Sequence, residues 1–204
     1  MRSLVALTVL AACGGAAPRP AAAPAARAPL PLPPATPAGE ACGAEIEEAP
    51  PGNRDRFAWE APDGSYGYKD LAGAIVIAPR FGYAYEFGKD GLAAAVERPT
   101  TPDGQARFVF IDPRGAVLAQ AYAFDNGPDY FQEGLARIVG ADGRVGFIDR
   151  GGAIVIAPQF VGASGFCHGE ATVHDGQTQW TIDRAGAASG PRAPYVPAAD
   201  PCGE

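Results

Sequence analysis

Cys167-His168 and His174-Asp175 form the one cluster that pairs a nucleophile or metal ligands with a proton acceptor in this chain of 204 residues. A thiol beside imidazole can act as a nucleophile, and thiol plus imidazole can bind zinc. A structural zinc site takes four ligands, however, and a catalytic one at least three. These residues fall on and near an inferred hairpin, which suits structural roles. Asp70, Asp112, Asp149 and Asp183 recur in register, each three residues before Gly73, Gly115, Gly152 or Gly186. Calcium-binding repeats place several oxygen ligands in each unit. One Asp per unit, followed by a turn Gly, fits turn capping instead: the carboxylate accepts backbone N–H groups two residues on, and the Gly takes a positive φ. No metal, cofactor or catalytic residue is expected. No Gly-x-Ser-x-Gly, paired zinc-ligand motif or phosphate-binding Gly loop occurs in the sequence.

Those aspartates sit in a repeated frame. Tyr66 to Phe81, Phe108 to Ala119 and Val145 to Phe160 align, and Trp180 to Gly186 begins a partial fourth unit. Glycine spacings of 42, 37 and 34 are accounted for by insertions around Pro99 to Gly104 and Asn126 to Asp129. Aromatic and β-branched residues before each Asp predict a first strand. Ala-Ile-Val-Ile-Ala-Pro predicts a second, ended by a proline that cannot donate to a ladder. Leu92 to Val96, Leu135 to Val139 and Glu170 to Val173 predict a third. Phe87, Phe131 and Phe166 precede the Gly turn before each third strand and are expected to anchor it in the core.

The expected fold is all-β: three imperfect antiparallel repeats and a partial fourth over residues 55–187. They stack as a short solenoid-like or partly closed array, because each unit's apolar face can be covered only by its neighbours. Residues 188–204 are expected to form a C-terminal tail. Gly 27 and Pro 21 exclude a helical bundle. A net charge of −7 argues against nucleic-acid binding.

The motif Gly-Phe-Ile-Asp-Arg-Gly-Gly-Ala-Ile-Val-Ile-Ala-Pro-Gln-Phe at 146 to 160 resembles the WG-repeat family, and the likeness extends over about residues 65 to 187. The Trp-Gly pair that names the family is replaced by Tyr66-Gly67, Phe108-Val109, Val145-Gly146 and Trp180-Thr181. That resemblance implies β-rich arrays, often in the bacterial envelope, and no shared catalytic activity.

The N-terminus points to the same place. Met1-Arg2-Ser3, the apolar run to Leu10 and Leu10-Ala11-Ala12-Cys13 resemble the signal and lipobox of bacterial lipoproteins, with residues 1–12 removed and Cys13 lipidated. Gly14 after Cys13 favours the outer membrane where the cell has one. Residues 13–50 form the linker, and ten of the 23 residues from 16 to 38 are Ala and eight are Pro. Such a tract buries too little apolar surface to order itself. Cys42 and Cys202 flank the repeats and are expected to pair, leaving Cys167 free.

An outward set of Tyr83, Tyr85, Tyr122 and Tyr130 is expected to form a binding face for peptide or glycan. The function this suggests is a non-enzymatic, lipid-anchored envelope protein that presents a β-repeat surface to an envelope protein or polysaccharide. The alternatives are an enzyme using Cys167, His168 and His174, or a purely structural component.

Overall fold

The structure, a computed structural model, describes residues 26–42, 55–99, 101 and 104–197. Alternating apolar residues and turn glycines give strands and, among the described residues, no helix. In chain order these are β1 (Phe57–Glu60), β2 (Tyr66–Lys69), β3 (Ile75–Ala84), β4 (Ala93–Glu97), β5 (Arg107–Ile111), β6 (Val117–Ala121), β7 (Ala123–Phe124) and β8 (Gly127–Pro128). There follow β9 (Leu135–Val139), β10 (Val145–Asp149), β11 (Ile154–Phe160), β12 (Gly162–Ala163), β13 (Glu170–His174), β14 (Thr178–Asp183) and β15 (Ala193–Pro194).

Nine strands form one antiparallel sheet in the order β1-β2-β3-β4-β5-β6-β9-β10-β11. A second sheet runs β12-β13-β14-β15, and β7-β8 is a separate hairpin. Neither large sheet closes on itself. The repeat is the meander β2-β3-β4, then β5-β6-β9, then β10-β11 with β12-β13, and β14 opens the fourth unit. β1 lies upstream of the first unit, and β15 pairs with β14 beyond residue 187, so part of the expected C-terminal tail belongs to the second sheet.

The proline does not end the second strand as expected. β3 runs through Pro79 to Ala84, and β11 through Pro158 to Phe160. Tyr66 pairs with Phe81 but Tyr68 with Ile77, so extra residues bulge out of β3 around Pro79. Val145–Phe160 and Phe147–Ile156 show the same slip around Pro158. A bulge needs no ladder donor there, which is why proline is tolerated. The bulged backbone presses on the opposite strand. A Cβ on Gly67 would lie 2.8 Å from Pro79 N, and one on Gly146 would lie 2.5 Å from Pro158 N. The middle unit has neither residue: Val109 stands opposite Gln120, and no proline follows. Glycine and proline come or go together.

The core repeats as well. Tyr68–Phe87, Phe110–Phe131 and Phe147–Phe166 are tilted or edge-on ring pairs at 4.8, 5.7 and 4.8 Å. Phe87 and Phe166 are buried, whereas Phe131 is half-buried beneath the Arg150 guanidinium. Units stack by seating one second-strand side chain over the next turn glycine: Ile77 on Gly115, Leu118 on Gly152 and Ile156 on Gly186.

The proline-rich segment is not disordered over its described part. Residues 26–42 run across the turns of the second, third and fourth units, with Leu32 packed on the core around Phe147 and Phe166, and turn at Pro37–Glu40 before reaching Cys42. The tract builds no core of its own; it borrows apolar ground and hydrogen-bond acceptors from the repeats. Cys13 and the signal segment lie outside the described residues, as does Cys202.

Candidate functional site

Each repeat Asp caps its own turn. Asp70, Asp112, Asp149 and Asp183 use Oδ1 to accept the N–H groups two and four residues on, at 2.8–2.9 Å. The glycine closing each turn has φ between 82° and 86°. The second carboxylate oxygen is left over, and at two turns the 26–42 segment takes it. Arg27 Nη2 lies 3.3 Å from Asp112 Oδ2, and Leu30 N–H donates to Asp149 Oδ2 at 2.7 Å. Arg27 also donates to Gly151 O, and Arg184 to Pro33 O.

Glu133 extends this row. Its Oε1 accepts Thr36 N–H at 2.7 Å and its Oε2 accepts Gly169 N–H at 2.9 Å. Burial raises its proton affinity, but these N–H donors and nearby Arg184 outweigh that and hold the carboxyl below its usual value. At the end of the segment, Cys42 is bonded to Cys167, with Cα atoms 5.6 Å apart. The expected Cys42–Cys202 pairing is therefore corrected. The ordered segment carries Cys42 back onto the third repeat, a placement that a disordered linker would not give. Among the described residues, Cys42, Cys167 and His168 form the group whose ligand atoms all lie within 4.8 Å. With both sulfurs in a disulfide, that group offers a metal only the imidazole.

A cleft of about 440 Å³ opens on the sheet between the first two units. Its floor is Leu92, Ala93 and Phe110, and its walls are Tyr85 with Glu86 on one side and Asp125 to Phe131 on the other. That second wall is the β7–β8 hairpin, turned by Asp125 and Asn126 at φ 47° and 63°. Arg137 fixes it in place. Its Nε and Nη2 reach Asp129 at 2.9 and 2.6 Å, its Nη1 donates to Ala163 O at 3.0 Å, and its guanidinium lies 4.3 Å over the Tyr122 ring. Burial works against the guanidinium's charge, but Asp129 more than offsets it and raises its pKa.

Residues 66–98 and 146–170 match the WG containing repeat. No curated protein matches the chain. The two matched stretches are those that carry Gly67 with Pro79 and Gly146 with Pro158. The middle unit keeps the meander and the Asp turn, but not the glycine–proline contact.

Across the first two units the expected tyrosine face divides. Tyr83, Tyr85 and Tyr130 are exposed, with Tyr83 edge-on to Tyr85 at 5.0 Å. Tyr122 is half-buried, with the Arg137 guanidinium 4.3 Å over its ring. Phe124 takes an exposed place edge-on to Tyr130 at 6.1 Å. Cys167, His168 and His174 do not assemble a thiol site: Cys167 is oxidised, and His174 lies on β13 stacked 3.8 Å from Tyr195. Asp129, Arg137 and Glu133 were missed. The only hint in sequence was that they border insertions, which gives no partner.

Proposed function

We propose that this protein is a non-enzymatic, lipid-anchored envelope component whose repeat array binds an envelope protein or polysaccharide in the Tyr85–Tyr130 cleft. The observation that carries this reading is the cleft itself: aromatic walls, an apolar floor and the carboxylates of Glu86 and Asp125 at its margin. Flat rings take apolar faces of sugars or peptide side chains, while carboxylates accept their hydroxyl or N–H groups. The Tyr85 hydroxyl is a donor at neutral pH, as any tyrosine is, and burial with Tyr83 and Tyr130 nearby raises its pKa further. Repeat arrays commonly bind through such extended faces. The enzyme alternative has less support, since its thiol is held in a disulfide.

The test uses the lipidated full-length protein in intact envelopes, with crosslinking followed by identification of both protein and glycan adducts. Enrichment of one species, lost on Tyr85→Ala and Tyr130→Ala but kept on Tyr83→Ala, supports the cleft. Enrichment that survives both cleft substitutions removes it.

A further inference from the structure

Residues 26–42 behave as a ligand that happens to be attached. They add no strand to either sheet, yet their contacts follow the turns of successive units. Leu30 N–H uses the spare oxygen of Asp149, Thr36 N–H uses Glu133, and Pro33 O receives Arg184. The surface beneath is shaped for side chains. A Cβ on Gly151 would come 2.8 Å from Leu30 Cγ, and one on Gly134 would come 2.5 Å from Pro33 Cδ. Glycines at these two places leave room for the leucine and proline of the segment. An extended, proline-rich chain loses little entropy on docking, which suits it to a shallow groove.

The far end is closed by a single covalent bond within reach of solvent. Cys42 and Cys167 are only half-buried, and His168 beside them is exposed. His168 Nδ1 lies 3.0 Å from Thr36 O, which can only accept, so the proton of the neutral ring sits on Nδ1. That leaves Nε2 bare, 3.7 Å from Cys42 Sγ. After reduction, Nε2 stands in position to accept a hydrogen bond from the Cys42 thiol.

We propose that the turn face of the repeats is a second binding site, a groove for an extended proline-rich peptide. Residues 26–42 fill it in cis, and Cys42–Cys167 is the latch. A dithiol reductant opens the latch: one thiolate attacks the disulfide and forms a mixed disulfide, and the second thiol resolves it. The reductant leaves as its own disulfide, and its two electrons and two protons end as the Cys42 and Cys167 thiols. The freed groove then takes a proline-rich chain in trans. The groove's hydrogen-bond partners Asp112, Asp149, Gly151, Glu133, His168 and Arg184 are not among the residues that line the Tyr85–Tyr130 cleft.

Two measurements on the full chain test this. In the first, trypsin cleavage after Arg27 is followed by mass in the oxidised, dithiothreitol-reduced and Cys167→Ser proteins, with circular dichroism reporting the repeats. Cleavage at least tenfold faster in the last two, with unchanged β signal, is the expected result. Equal rates, or loss of the β signal on reduction, overturn the latch. In the second, the Cys42→Ser chain is mixed in a thiol–disulfide buffer with a synthetic 26–42 peptide carrying Cys42. Disulfide formation with Cys167 at least tenfold faster than with a scrambled peptide ending in the same cysteine supports the groove. Equal rates overturn it.

Discussion

Gly67 faces Pro79 across the first hairpin so closely that a Cβ on the glycine would stand 2.9 Å from the proline Cα. Backbone on one side and a ring on the other leave nothing flexible to move aside. Gly146 and Pro158 repeat the arrangement. Gly146→Ala is expected to lower stability by about 1–3 kcal/mol, the usual cost of forced overpacking. Urea unfolding followed by circular dichroism checks it; an unchanged midpoint would show that the bulge yields.

Asp129 and Arg137 form a buried, two-pronged ion pair, with side chains 5% and 12% exposed. Removing one partner leaves the other charged and desolvated, at a cost of about 3–5 kcal/mol. Asp129→Asn is expected to show most of that loss in thermal or urea unfolding. Arg137→Lys is expected to fail as a rescue, since an ammonium cannot span both oxygens and Ala163 O.

Glu133 ties the 26–42 segment to stability against acid. Its pKa in the folded chain lies below the ordinary 4.5. The contribution is therefore present above about pH 4.5 and is lost as pH falls through the lower, folded value. Amide exchange at Thr36 and Gly169, followed from pH 6 to pH 3, is expected to lose protection over that window. Glu133→Gln is expected to flatten the dependence.

Asp175 behaves alike at the β13–β14 turn. Thr178 and Gln177 N–H groups, with Arg192 close by, pull its pKa down to about 2. Carboxyl titration by NMR is expected to find it ionised throughout that same acid range, with the turn protected until near pH 2.

Tyr85 and Tyr130 wall the cleft from opposite sides, and neither is one of the buried core residues. Each change to alanine is expected to weaken ligand binding about three- to tenfold, the scale of one aromatic contact. The unfolding midpoint is expected to move little. Calorimetry with the crosslinked ligand, beside an unfolding curve for each variant, separates the two effects.

The repeat frame was legible because local rules write it. Asp70 and Gly73 announce a turn through side-chain capping and positive φ, and aromatic and β-branched residues such as those in Val145–Asp149 announce a strand. Pro79 misled for a local reason as well: it cannot donate to a ladder, but a bulge asks for no donor. Phe57–Glu60 stayed hidden because a four-residue strand at an edge has too few alternations to show a period.

The sequence by itself determined the all-β class, the three-strand unit, its register around Asp and Gly, and the likeness to WG repeats. These depend on backbone preferences within a few residues. Only the tertiary structure decided that Cys42 meets Cys167, that Leu30 reaches Asp149 across 119 residues, and that Arg137 lies over the Tyr122 ring. Those outcomes depend on which spare acceptors and open glycines the stacked units bring to one surface, and no local spacing records that.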